Sequence, residues 1–463
     1  MTNAITPKVR SVENMVRRAR EKTRTQHNSA CPTCHITLWI SLFFDGTGNH
    51  REKDFPLTHS NVAALFDAHF NDPEQGVSPL YYEGLGRAFN FEDRYEEIRA
   101  PVRSGVRKVV HEGDEEEDGR TLGLGFADGI TERLEKAEFD FSTMVDDWRA
   151  VRRVDEINLA AFGFSRGATE ARAFMHWLAA HSKVTRSGNQ LRYDGVPLNI
   201  KFLGIFDTVG SVGGAGVNRL PELIKTTVPA FVERCTHIVA AHELRAAFPL
   251  TVVDGHRRCI VYPGAHADIG GGYEAGEQGR SDKLARIALL NMLDEARGTG
   301  LKMRSLNELK ADDDWNNLYS PSFDVPQPDI DALSKYLQIV RPSGSVQAHF
   351  EAHMTHYWRW IDSGLAIEDV RENQAAARAA NDRTRMEDAR IQQHLLRNLA
   401  RTRTGRGGPR TEATPTVDPA VEHLFENYVH DSFEHFSLSG GTAMTDMSIA
   451  NYYKLRTINQ PSG

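Results

Sequence analysis

Gly163-Phe164-Ser165-Arg166-Gly167 sets a serine between two glycines. It follows the apolar run INLAAF (157–162) and precedes ATEARAFMHWLAAH, whose Ala171, Phe174, Trp177 and Leu178 recur at helical spacing. A strand before and a helix after are the context in which G-x-S-x-G forms a nucleophile elbow. The sharp turn lifts the Ser165 hydroxyl clear of the sheet, Gly163 and Gly167 relieve crowding, and N–H groups at the helix start face developing negative charge. The pentapeptide alone fits a small residue in a tight turn equally well, so the rest of the chain has to decide.

A reactive serine needs a base, and the base needs an orienting acid; in this architecture they follow in the order Ser, Asp or Glu, His. Asp207 ends the strand-like NIKFLGIF (199–206), and His266 sits in PGAHADIGGGY after CIVY (259–262). Order and strand-end placement both suit a Ser165, Asp207, His266 triad. The oxyanion needs two donors: the backbone N–H of Arg166, and a second from DGTGN (45–49), where Gly46 and Gly48 flank Thr47 and allow close backbone approach. Asp45 is expected to hold that loop rather than react. Asp254 and Asp268 are alternative acids, and His430, beside Asp431 in YVHDSF, is the rival base. His242 in HELRAAF lacks the second histidine of an H-E-x-x-H zinc helix, because Ala246 stands there. D-G-T after an apolar strand also matches part of the D-x-D-G-T of phosphatases with an aspartate nucleophile. Here the nucleophile's place is taken by Phe43, which cannot accept a phosphoryl group.

Elements must bring these residues together. ITLWISLFF (36–44) is continuously β-branched and aromatic, a buried strand feeding the DGTGN turn. NVAALFDAHF (61–70) and KLARIALLNMLDEARG (283–298) have helical spacing, and VSPLYYEGLG (77–86) reads as strand and turn. Strands alternating with helices predict an α/β fold with a mainly parallel sheet flanked by helices, whose loops gather along the carboxyl edge. Residues 1–35 read as a basic flexible arm and 36–299 as the catalytic domain. Residues 300–463 read as a mostly helical appendage, with an Arg-rich flexible link near 370–415 and a C-terminal segment returning to the core. Trp358 and Trp360 suit either a lipid interface or a core.

With 463 residues, 40% apolar and 25% charged, the chain can build one large core and a smaller unit. A net charge of −8 and a pI near 6.2 argue against a nucleic-acid partner. Four cysteines make no disulfide scaffold. Cys31-Pro-Thr-Cys34-His35 has the haem-attachment pattern, yet the N-terminal stretch shows no apolar export signal, so the two are read as plain thiols. The acidic run HEGDEEEDG (111–119) reads as an exposed loop. No stretch approaches about 18 uninterrupted apolar residues, so no membrane-spanning helix is expected. The chemistry calls for no metal and no organic cofactor.

LFFDGTGN, GFSRGATEARAF, FLGIFDTVGSVG, HELRAAFPL and YPGAHADIGGGY together resemble, in order, the motif blocks of the α/β-hydrolase domain of type VI secretion phospholipase effectors of the first Tle family. The resemblance runs from about 36 to 295 and is echoed by YVHDSFEHF near the C-terminus. It implies a phospholipase A acting on acyl esters of membrane phospholipids, with its triad on Ser165, Asp207 and His266. It further implies a protein made in the bacterial cytoplasm without a signal peptide, carried by a secretion spike protein into a target cell's periplasm and neutralised in the producer by an immunity protein. Two other readings stay open: an esterase or amidase on a soluble acyl substrate, and an inactive hydrolase-like binding module.

Overall fold

The computed structural model describes residues 35–85, 125–210, 224–383 apart from 246 and 256, 385–386, 389–390, 393, 415–432, 437–438, 441–442 and 455–463. Cys31 and Cys34, the basic arm, the acidic run and most of the Arg-rich link lie outside these residues.

Six parallel strands form the central sheet in the order β2 (Val77–Tyr82), β1 (His35–Phe44), β3 (Arg153–Phe164), β6 (Val196–Phe206), β7 (Val232–Ala240), β9 (Arg258–Tyr262). The antiparallel pair β4 (Val184–Ser187) and β5 (Gln190–Tyr193) extends the sheet at the start of β6. The two-residue strand β8 (Leu250–Thr251) pairs in parallel with residues 458–459, so the C-terminal segment returns to the loops that follow the central sheet.

β1 is apolar on both faces because both are covered. Leu38, Ile40, Leu42 and Phe44 pack with α2 (Gly125–Val151) and α3 (Arg166–Ala180), whereas Phe43 packs with α1 (Asn61–Ala68) and α5 (Lys283–Arg297). The same two-residue alternation divides Leu159 and Ala161 of β3 from Ala160 and Phe162. At about 25 cal/mol per Å2 of apolar surface, each fully buried Leu or Phe of these strands contributes roughly 1.5–3 kcal/mol before entropy is counted.

Strand register aligns the carboxyl ends: Phe44 pairs with Gly163, Phe164 with Phe206, Phe206 with Ile238, and Ala240 with Tyr262. The loops after β1, β3, β6 and β9, together with the short helix α4 (His266–Gly270), therefore open on one edge. β1 leads to β2 on one side, while β3 leads to β6 on the other. The crevice between β1 and β3 is thus the topological switch point, where open α/β sheets place their ligands.

Beyond residue 300 the described residues are mostly helical, with α6 (Gln327–Val340), α7 (Val346–Ser363), α8 (Leu365–Ala379) and α9 (Pro419–Asn427) as the longer helices. They share a cluster with Leu244, which follows β7, and with Leu284 and Ile287 of α5. α8 corrects the extent of the expected link, since residues 370–379 are helical. Their alanines, arginines and Glu372 are strong helix formers, and Val370 and Ala377 are buried. Trp358 and Trp360 are buried in the same cluster, which settles them as core residues. Among the described residues no helix is long and apolar enough to cross a membrane.

Candidate active site

Ser165 sits at φ 58°, ψ −120°, a conformation L-residues rarely adopt, between the last residue of β3 and the first of α3. Its neighbours leave the chain no alternative to glycine. A Cβ on Gly163 would lie 2.4 Å from the carbonyl oxygen of Gly167, and one on Gly167 would lie 2.2 Å from that of Phe44. The Ser165 N–H donates to Phe206 O at 3.0 Å, and the N–H of Val209 donates to Ser165 O at 3.1 Å. The serine is thereby tied to the end of β6, where Asp207 stands.

Asp207 and His266, expected as acid and base, meet directly: His266 Nδ1 lies 2.5 Å from Asp207 Oδ2 in buried surroundings. The other oxygen, Oδ1, accepts from Ala240 N–H at 2.9 Å and from Arg456 Nη1 at 2.5 Å. Burial alone would raise the Asp207 pKa, but the Arg456 charge and the His266 hydrogen bond hold it well below the usual carboxylate range. Burial lowers the pKa of His266, and Asp207 opposes that only in part, so the imidazole is neutral at neutral pH, as a base must be. The Phe164 and Phe248 rings pack against the imidazole at centroid distances of 4.6 and 5.0 Å. Its backbone N–H donates to Glu243, a buried carboxylate that Arg245 holds in turn at 2.8–2.9 Å. His266 is thus held by its ring, its Nδ1 and its backbone at once.

The rival base is placed elsewhere. His430 Nδ1 contacts Asp268 Oδ1 at 2.6 Å, its ring stacks on Tyr273 at 4.0 Å, and its acid is Asp268 rather than the neighbouring Asp431. Gln278 explains this, because its side-chain amide binds both backbone groups of Asp431 and fixes the turn that separates the two side chains. Asp268 also accepts from Ala265 N–H at 2.8 Å and His430 N–H at 3.0 Å, and so braces the loop carrying His266. Asp254 accepts from Val228 N–H instead.

The 45–49 loop is narrower in its offer than expected. The Gly46 N–H donates to Asp45 Oδ1 at 2.7 Å and the Gly48 N–H to Leu85 O at 2.8 Å. Gly46 and Gly48 are therefore corrected from donors to shaping residues, and Thr47 is left as the donor candidate of this loop. Asp45 holds the loop: its carboxylate also takes Ser60 Oγ at 2.8 Å and Tyr81 OH at 2.5 Å. Burial pushes its pKa up to about 6 against these hydrogen bonds. The Arg166 side chain reaches Thr47 Oγ1 at 3.1 Å, joining the elbow to the loop. Arg166 opens α3, in whose first turn N–H groups have no intrahelical acceptor.

Sequence reasoning missed three participants. Gly84 lets the chain after β2 press on the loop, since a Cβ there would lie 1.6 Å from Gly46 O; its signal was the GLG turn. Arg172 of α3 ties Thr226, Thr251 and Val252 carbonyls together. Arg456, far along the chain, gave no signal at all. Among the described residues no group of three or more His, Cys, Asp or Glu could hold a metal ion.

Residues 39–194 and 179–295 match the family model described as the type VI secretion system phospholipase effector Tle1-like catalytic domain. A crystal structure of an uncharacterized protein from Pseudomonas aeruginosa shares the fold with TM-score 0.59 at 18% identity, covering 97% of this chain and 82% of that one. The structure of the Tle1 effector bound to the VgrG spike of the type 6 secretion system matches with TM-score 0.44 at 17% identity, over 71% of this chain and 87% of that one. A comparison with curated proteins finds no match. The family model covers more than half the length of the chain, and this chain belongs to the Tle1-like family of type VI secretion phospholipase effectors.

Proposed function

We propose that the chain is a serine hydrolase that cleaves acyl ester bonds of membrane phospholipids, in the manner of a phospholipase A. The observation that carries this reading is the buried Asp207–His266 pair beside the strained elbow of Ser165. The Ser165 hydroxyl oxygen attacks the acyl carbonyl carbon while His266 Nε2 takes the hydroxyl hydrogen. Asp207 fixes the imidazole tautomer and stabilises the imidazolium. Backbone N–H groups of Arg166 and Thr47 hold the tetrahedral oxyanion, a contribution of about 3–4 kcal/mol per donor in comparable sites. The C–O bond to the glycerol oxygen breaks, and His266 returns its proton to the departing lysophospholipid. Water, activated by His266, then hydrolyses the acyl-enzyme and regenerates Ser165.

Family membership supports the further reading of an antibacterial effector that rides a spike protein into a neighbouring cell's periplasm and is countered in the producer by an immunity protein. The test is fatty-acid release from phospholipid vesicles by the wild type and by Ser165→Ala. Release by the wild type alone is expected. Equal release from both refutes the serine mechanism, and release from neither favours a binding module. Cleavage of short soluble esters but not of vesicles moves the substrate class to soluble acyl compounds.

A further inference from the structure

Asp207 holds a backbone conformation that aspartate seldom adopts. Its φ is 39°, in the left-handed region that favours glycine, one residue past the end of β6. Past this turn the Thr208 N–H leaves the β6–β7 ladder and donates instead to a side chain, His237 Nε2, at 3.3 Å. The Thr208 hydroxyl lies 3.1 Å from the same nitrogen. Asp207, Thr208 and His237 are all fully buried.

His237 belongs to β7, where it pairs with Ile205 of β6 on one side and Cys259 of β9 on the other. A backbone N–H can only donate, so Nε2 offers its lone pair and the ring hydrogen sits on Nδ1. Burial, with the Arg172 charge behind it, pushes the His237 pKa down to about 3, so the imidazole is neutral and the acceptor persists. Nδ1 is buried and has no hydrogen-bond partner among the described residues. One ring nitrogen thus serves the Asp207 turn and the other is bare. A leucine would fill the place without stranding a polar atom of its own.

The Asp207 N–H donates to Ile238 O at 2.8 Å, which fixes the peptide plane before the Asp207 Cα. The Thr208 bond to His237 fixes the plane after it. Between them the two planes set the direction in which the carboxyl leaves the chain. We propose that His237 is a positioning residue that, by holding the peptide after Asp207, aims the carboxylate at His266. The proposal rests on the reading of Asp207 and His266 as acid and base of a serine hydrolase.

Two readouts on the full-length chain test it. In Ser165→Ala protein, NMR follows the far-downfield proton between His266 Nδ1 and Asp207, identified as the one lost in His266→Gln; no turnover is needed. With Ser165 intact, kcat and KM for vesicle hydrolysis are measured alongside thermal unfolding. His237→Leu, which removes the acceptor, is expected to shift or broaden that proton and to lower kcat at least about tenfold with KM within about twofold. Its unfolding midpoint should stay within about 2 °C of wild type, because losing the bare Nδ1 offsets baring the Thr208 N–H. His237→Gln, whose side-chain oxygen can again accept, should recover the proton and most of kcat. A folded His237→Leu with either readout unmoved overturns the proposal, and so does a His237→Gln no better than His237→Leu. His237→Met takes the place of His237→Leu if that variant does not fold. Absence of fatty-acid release by the wild type refutes the hydrolase reading instead, and the proton alone then decides whether His237 aims the carboxylate.

Discussion

Replacing Arg456 by methionine keeps an unbranched apolar stem, shorter than arginine, and removes the cation that faces Asp207. Both partners are buried and their atoms lie 2.5 Å apart, so the loss falls in the class of a buried pair broken on one side, about 3–5 kcal/mol. Burial then raises the carboxyl pKa with only His266 and the Ala240 N–H to oppose it. Some of the loss will appear as instability. The part that matters for catalysis is the acid's ability to stay ionised opposite an imidazolium. If about 3 kcal/mol of it is felt in the transition state, kcat/KM falls on the order of 100-fold. The sign for pH follows from the low native pKa of Asp207. Its contribution is present above the unfolded carboxylate pKa and is lost as pH falls through the native one. Raising the native pKa must therefore move the acid limb of the activity profile to higher pH. Arg456→Lys retains the charge but cannot also serve the carbonyl of Phe248 as the guanidinium does, so it should fall between the two. The assay is initial-rate vesicle hydrolysis across pH 4 to 8, with thermal unfolding of each variant. A folded Arg456→Met within about threefold of wild type, its acid limb unmoved, refutes the reasoning.

Gly167→Ala should destabilise by at least about 2 kcal/mol or displace the elbow, because its Cβ would meet two carbonyl oxygens of the β1 end; chemical denaturation and vesicle hydrolysis read the two effects. His266→Ala should drop activity to the level of Ser165→Ala, while Asp431→Asn should track the wild type in the same assay; the reverse would restore the rival pair. Burial lifts the pKa of Glu170 on α3 to about 8 despite Arg133 and Arg166, so the native state keeps a proton that the unfolded chain gives up near 4.5. Stability should then fall as pH rises from about 5 to about 8, by up to about 1.4 kcal/mol per unit relative to Glu170→Gln, in denaturant titrations at each pH.

The parts of the site legible in the sequence were those encoded locally. Ser165, Asp207 and His266 each sit at a strand end whose apolar run announces it, and the flanking glycines report the crowding that requires them. β7 was overlooked because VERCTHIVA mixes charged with apolar residues at the start of an otherwise buried strand. α2 was overlooked because the glycines at its start hide the helical spacing of Ile130, Leu134, Phe141 and Trp148. Hydrogen-bond competition within DGTGN is invisible to a pattern, since it depends on Leu85 and Asp45 reaching particular amides. Arg456 and the Asp268–His430 pairing depend on chain segments remote in sequence meeting, and no local periodicity carries that information.

The return of the chain to β8 has a consequence for the time at which activity can appear. Ser165, Asp207 and His266 are all synthesised long before Arg456, the residue that offsets the burial of Asp207. A nascent chain that has folded its sheet and even its appendage holds the buried Asp207 carboxylate without its counter-ion. Under the proposed mechanism, competence waits until translation has passed Arg456, and partial products of synthesis carry the elbow and the Asp207–His266 pair without the counter-ion of Asp207.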